Sequence, residues 1–211
     1  MRFVLVHGWG FHPGIFDPLI AHLPDDAEVS RVDLGFVAGG GQALSPSDEW
    51  PQDAIAVGHS LGVLWLLHER RRNFRGLVSL QGFDRFAAHV GMARVRSMQK
   101  ALSRDPLSLM QMFWQSCGVP DFAPAEALRQ ERLAEGLDWL MQWEETEARE
   151  SLKAPVLALA SKDDPIVPQA MSDAIWGDAV VWSAEAGHAL PLRHPKWCAE
   201  KILEFSKSID G

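Results

Sequence analysis

Gly58-His59-Ser60-Leu61-Gly62 is a G-x-S-x-G pentapeptide, and its surroundings decide what the serine can do. Ala54-Ile55-Ala56-Val57 before it is a short apolar run with β-branched residues, and Val63-Leu64-Trp65-Leu66-Leu67 after it favours a helix. Strand, tight turn, helix is the context in which this pattern holds a serine hydroxyl at the end of a sheet, beside a helix N-terminus. Glycines on either side allow a strained turn and a close approach of strand to helix. A serine hydroxyl is a poor nucleophile until a base takes its proton. The base is a neutral imidazole, and a carboxylate fixes its tautomer and steadies the imidazolium. In this type of site the acid and the histidine follow the serine in that order. The buried-strand run Pro155-Val156-Leu157-Ala158-Leu159-Ala160 ends in Ser161-Lys162-Asp163-Asp164, which offers two carboxylates. The run Val180-Val181-Trp182-Ser183 leads to Ala186-Gly187-His188, a loop carrying the histidine. Ser60, His188 and an aspartate at 163 or 164 fill the three roles.

Acyl transfer at such a serine develops an oxyanion, which preorganised N–H groups stabilise. One donor is the residue after the nucleophile, Leu61. The other comes from the loop after an early strand, here Phe3-Val4-Leu5-Val6 followed by His7-Gly8-Trp9-Gly10, which points to Trp9. His7 precedes the nucleophile in the chain, so its expected role is to hold this loop and not to act as the base.

The elements that must position these residues alternate. Strands are expected at Phe3–Val6, Glu28–Asp33, Ala54–Gly58 and Gly76–Leu80, then at 155–160 and 180–183, with a closing helix near Lys196–Ser206. That alternation predicts a mostly parallel sheet with helices on both faces. Residues 84–150 break the rhythm. Apolar residues at helical spacing (Val95, Met98, Ala101, Leu102; Leu109, Met112, Phe113; Leu133, Leu137, Leu140, Met141) predict helices there. The chain therefore reads as one domain, a core of 1–83 and 151–211 with a helical cap inserted at 84–150. Met98, Met110, Met112, Phe113, Trp114, Trp139 and Met141 are candidates to line an acyl tunnel under that cap.

With these motifs the chain resembles the α/β-hydrolase family along nearly its whole length, and within it the pimeloyl-ACP methyl ester carboxylesterases of biotin synthesis. Besides the pentapeptide, His7-Gly8-Trp9-Gly10, Arg31-Val32-Asp33-Leu34-Gly35, Asp164-Pro165-Ile166-Val167-Pro168, Ala186-Gly187-His188-Ala189 and His194-Pro195 carry the resemblance. Leu102-Ser103-Arg104-Asp105-Pro106 leading to Phe113, and Gly136-Leu137-Asp138-Trp139-Leu140, are similar to lid segments. The resemblance implies an α/β-hydrolase fold and selects Asp164 as the acid, because it begins D-x-x-V-P. Asp163 is left as a solvated or loop-capping carboxylate. It implies hydrolysis of an acyl methyl ester through an acyl-enzyme, without cofactor, and it makes Phe113 the best tunnel residue. Three departures stand out. The first hairpin is expected to be absent, Leu34–Asp53 is Gly- and Ser-rich and expected to be mostly loop, and His59 stands where these esterases often have a tryptophan. That position beside the nucleophile makes His59 a candidate substrate-binding residue.

Charge suggests a partner. The chain carries −8 overall, yet residues 69–104 hold Arg70, Arg71, Arg72, Arg75, Arg85, Arg94, Arg96, Lys100 and Arg104 against only Glu69 and Asp84. An acidic protein with one basic sector is oriented to meet an acidic partner. Acyl carrier protein fits, with Arg94, Arg96, Lys100 and Arg104 as its contacts. A solvated face is the bland reading, and Arg70–Arg75 at a helix C-terminus is favoured there anyway. No motif supports nucleic acid. The scattered histidines and Cys117 and Cys198 lack metal or disulfide spacing. No apolar run approaches a membrane span, and four apolar residues after Arg2 are too few for a secretory leader. A cytoplasmic monomer is expected. A general small-ester or lipolytic hydrolase without protein partner is the first alternative. A silent hydrolase fold serving as a binding module is the second.

Overall fold

The computed structural model describes residues 1–69 and 73–209, so Arg70, Arg71 and Arg72 lie outside it. In chain order its elements are β1 (Arg2–Val6), α1 (Asp17–Ile20), β2 (Glu28–Val32), β3 (Ile55–His59), α2 (Leu61–His68) and β4 (Gly76–Leu80). Five helices follow: α3 (Ala87–Val90), α4 (Met92–Arg104), α5 (Pro106–Ser116), α6 (Gln130–Gln142) and α7 (Thr146–Glu150). The chain closes with β5 (Val156–Ser161), α8 (Gln169–Trp176), β6 (Val180–Ser183), α9 (Leu190–Arg193) and α10 (Pro195–Ser208).

The six strands form one sheet in the order β2-β1-β3-β4-β5-β6, and every pairing is parallel. Parallel strands are covered on both faces, so they read as near-continuous apolar runs. Every residue of β3 and β4 is accordingly buried. The chain first steps from β1 to β2, then returns past β1 to β3 and continues outward. Right-handed crossovers in two directions place their helices on opposite faces and open a crevice at the carboxyl ends of β1 and β3. Val6 pairs with Gly58 in register, which sets the loop after β1 directly beside Ser60.

α2 is buried along its length from Leu61 to Leu67, the behaviour of a helix apolar on every side. Residues 34–53 hold no helix, yet Leu34, Phe36 and Val37 are fully buried and fill the core from a loop. The two ends of the segment between β4 and β5 are joined by a part-buried ion pair: Arg149 Nε donates to Asp84 at 2.8 Å. The expected apolar spacing holds for Val95, Leu102, Leu133, Leu137 and Leu140, which are buried. Met112 departs from it and is 68 % exposed. α5 buries Met110, Phe113 and Trp114 instead, so Met112 falls on the outer side of the same helix. Among the described residues, no helix is long and apolar enough to cross a membrane, and no group of three His, Cys, Asp or Glu could hold a metal ion.

Candidate active site

Ser60 occupies the turn between β3 and α2 with φ 53° and ψ −123°, a conformation that costs an L-residue energy. The turn is possible because of its neighbours. A Cβ on Gly62 would lie 2.2 Å from the Val6 carbonyl oxygen, and one on Gly58 would lie 2.7 Å from Val63 Cγ2. Only glycines let strand and helix come this close.

His188 follows β6, and its Nε2 lies 3.0 Å from Ser60 Oγ. Its Nδ1 lies 2.8 Å from Asp164 Oδ2, at the carboxyl end of β5. A carboxylate only accepts, so Nδ1 carries the proton and Nε2 turns its lone pair to the serine hydroxyl. The other carboxylate oxygen, Asp164 Oδ1, accepts from the N–H groups of Ile166 at 2.7 Å and Val167 at 3.0 Å. All three side chains are buried. The arrangement can pass a proton from a nucleophile to a fixed imidazole away from bulk water.

Asp163 does something else. Its Oδ1 accepts from Gly187 N at 2.8 Å and Ala186 N at 3.0 Å, so it caps the loop that carries His188. Partial desolvation raises its pKa, but hydrogen bonds from Ser161, Gly187 and Ala186 outweigh that and hold the carboxyl below its ordinary range. His7 is fully buried. Its Nδ1–H donates to the Gly8 carbonyl at 3.0 Å, and its Nε2 lies 2.9 Å from Leu34 N and 3.2 Å from Asp33 Oδ1. It secures the loop after β1.

A cavity of about 220 Å³ opens over Ser60, lined by Trp9, Leu61, Phe83, Phe113, Leu140 and Ile166, with Arg94, Met98, Leu109 and Met112 toward its mouth. Leu61 is the first residue of α2, where a backbone N–H has no intrahelical acceptor. Trp9 is fixed from its ring: Nε1 donates to the Leu133 carbonyl at 2.8 Å, and Phe113 packs edge-on at 4.9 Å. Of the tunnel candidates, Met98, Met112 and Phe113 reach the cavity. Met110 and Trp114 are buried in the core, and Trp139 stacks on Trp143.

His59 requires correction as a substrate contact. It is 0 % exposed and lies behind the cavity wall, with Nε2 3.0 Å from the His188 carbonyl oxygen. The basic set is also divided. Arg94, Arg96, Lys100 and Arg104 are all exposed on α4, but only Arg94 lines the cavity. Arg94 and Arg104 flank a groove between α4 and α5 that shares Arg94, Met98, Leu109 and Met112 with it. Arg96 and Lys100, one helical turn apart, lie on another side of the helix.

Sequence reasoning missed Gln81. It sits just beyond β4 with φ 54°, is 1 % exposed, and bridges two elements. Its Nε2 donates to the Gly187 carbonyl at 2.8 Å, and its Oε1 accepts from Ser161 N at 3.1 Å. The available signal was a polar residue directly after a fully apolar strand, at the sheet edge where Ser60 and Asp164 also sit.

Comparison with known proteins agrees with this architecture. Pimeloyl-[acyl-carrier protein] methyl ester esterase from Legionella pneumophila (strain Corby) is 27% identical over 197 residues, covering 80% of this chain and 77% of that protein. The enzyme of the same name from Xanthomonas oryzae pv. oryzae (strain MAFF 311018) is 26% identical over 247 residues, covering 98% and 95%. Among solved structures, an esterase from Exiguobacterium antarcticum superposes with a TM-score of 0.76 over 98% of this chain and 92% of that one, at 13% identity. That likeness speaks to the fold. The model of the alpha/beta hydrolase family matches residues 3–201, and the chain belongs to that family.

Proposed function

We propose that this protein is a serine carboxylesterase that cleaves the methyl ester of a pimeloyl chain carried on acyl carrier protein, the reaction of a biotin-synthesis esterase. The observation that supports it most is the hydrogen-bonded line Asp164–His188–Ser60 ending in an apolar cavity. Relatives named for that esterase supply the substrate.

Ser60 Oγ attacks the ester carbonyl carbon while His188 Nε2 takes its proton. Asp164 holds Nδ1–H and stabilises the imidazolium. The N–H groups of Trp9 and Leu61 receive the oxyanion. Methanol departs with the proton from His188 and leaves an acyl ester on Ser60. Water then attacks that ester, His188 again acting as base, and the free carboxylate is released. Helices α3–α7 act as a cap over this centre. The non-reacting remainder of the substrate leaves through the α4–α5 groove, whose apolar floor and flanking Arg94 and Arg104 suit an amphiphilic arm with an anionic end. A cytoplasmic monomer goes with this reading.

Two experiments test it. A fluorophosphonate probe should label Ser60, and no labelling would leave only a silent binding fold. Expression in a biotin auxotroph lacking its pimeloyl-ACP methyl esterase should restore growth. Labelling without complementation by a well-expressed protein would move the substrate to small soluble esters.

A further inference from the structure

The base of this site stands on a loop, and a loop residue must be held for proton transfer over 3.0 Å to be repeatable. The peptide groups of that loop are engaged one after another. Asp163 accepts from Ala186 N and Gly187 N, Gln81 Nε2 donates to the Gly187 carbonyl, and the His188 carbonyl, which already accepts from Leu190 N at 2.9 Å, lies 3.0 Å from His59 Nε2. A carbonyl can only accept, so His59 carries its proton on Nε2 and donates. Among the described residues, His59 Nδ1 has no hydrogen-bond partner. The ring is fully buried, 5.1 Å from the His188 ring and 5.4 Å from Phe11. On the Nδ1 side, a Cβ on Gly8 would lie 3.0 Å from that atom, so the Gly8 backbone approaches it closely. An apolar residue of the same size would avoid the unsatisfied nitrogen. Leucine at this position would lack both the unsatisfied nitrogen and the Nε2–H donor.

We propose that His59 and Gln81 are positioning residues that hold the His188 loop from the carboxyl ends of β3 and β4, so that His188 Nε2 stays in line with Ser60 Oγ. Neither touches the substrate. The inference rests on the reading of Ser60, His188 and Asp164 as the reacting groups. It also gives a role to two polar side chains, 0 % and 1 % exposed, that the reaction itself leaves idle. Both sit at the sheet edge, so the same strands that present Ser60 and Asp164 also fix the base.

The test compares variants that keep or delete each donor. His59→Gln places an amide N–H near the old Nε2, whereas His59→Leu has none. Gln81→Met deletes the second donor at similar volume. On p-nitrophenyl acetate, His59→Leu and Gln81→Met should each lower kcat by roughly 10- to 100-fold with KM within about twofold, since small misplacements of a reacting group cost that much. Fluorophosphonate labelling of Ser60 should slow by the same factor. His59→Gln should keep at least about half of the wild-type kcat, the rescue expected of a retained donor. Wild-type kcat in His59→Leu and Gln81→Met, a loss confined to KM, or equal damage in His59→Gln and His59→Leu would overturn the proposal. If His59→Leu fails to fold, Gln81→Met and His59→Gln still decide it. Failure of the wild type itself to react with the probe would instead remove the hydrolase reading beneath it.

Discussion

The two walls of the cavity are held in different ways. On the sheet side, Ser60, Asp164 and His188 are fixed by hydrogen bonds to backbone and to buried polar side chains, and none of the three is more than 6 % exposed. On the α4–α5 side, Met98, Leu109 and Met112 line the opening with apolar side chains, Met112 is largely exposed, and Arg94 reaches the Pro165 carbonyl at 3.4 Å. Hydrogen bonds with defined angles locate atoms to a few tenths of an ångström, whereas methionines repack around whatever arrives. Under the proposed esterase reading, the division puts reaction chemistry on the sheet and substrate selection on the insertion. Changes on the sheet side should therefore act through kcat and changes on the insertion through KM.

The largest effect belongs to the nucleophile. Ser60→Ala should remove about 10⁴- to 10⁶-fold of kcat on p-nitrophenyl esters and leave the thermal midpoint near that of the parent. The elbow depends on Gly58 and Gly62, not on the hydroxyl. Retained turnover of more than a few per cent in a pure preparation would sink the assignment.

Next come the two aspartates, which test whether the sheet-side wall separates chemistry from support. Asp164→Asn should lower kcat by about 10⁴-fold, because the amide leaves His188 in the wrong tautomer. Asp163→Asn weakens only the cap on Ala186 and Gly187, and a loss of roughly tenfold is expected. Steady-state kinetics on one small ester reads both. The reverse order would put the acid one residue earlier.

Much of this wall could be read from residue order alone. G-x-S-x-G between a strand and a helix, a carboxylate after β5 and a histidine after β6 are constraints of covalent spacing, and spacing survives in a sequence. His7 could be set aside for the same reason. His59 and Gln81 could not be placed, since their partners are backbone carbonyls 129 and 106 residues away and carry no side-chain signature. The insertion was legible as helices through its apolar period. Which side of α5 faces the cavity was not, because Met110, Met112 and Phe113 are all apolar and only packing against Gly10 and Trp9 decides among them.

A smaller effect is expected in acid. Burial, then the neighbouring His188, hold the His59 pKa well below its ordinary 6.5, with His7 adding in the same direction. The unfolded chain takes up a proton near 6.5 that the folded chain refuses, so stability falls as pH drops below that value. His59→Gln removes this proton. Its stability should decline less steeply between pH 6.5 and 5, by up to about 1.4 kcal/mol per pH unit. Urea unfolding at several pH values measures the slope, and parallel slopes in the two proteins would place the charged form of His59 within the folded state.

The smallest effect tests the outer surface. Arg96, Lys100 and Arg104 are exposed on α4 and lie outside the cavity, whereas Arg94 lines it and is left unchanged. Reversing the three to Glu should raise KM for a carrier-protein ester severalfold with kcat unaltered, because rim charges steer encounter more than they bind. Added salt should weaken the parent's carrier-protein reaction in the same direction, since exposed charges are screened over about 8 Å at physiological ionic strength. Small p-nitrophenyl esters carry no such partner and should show little change. Equal losses on both substrates would mean that the reversals disturb α4 and, through it, Met98 at the mouth of the cavity. No change on either would make Arg96 and Lys100 a solvated face and deny Arg104 a part in the groove, and selection would then rest on the groove's apolar floor and on Arg94.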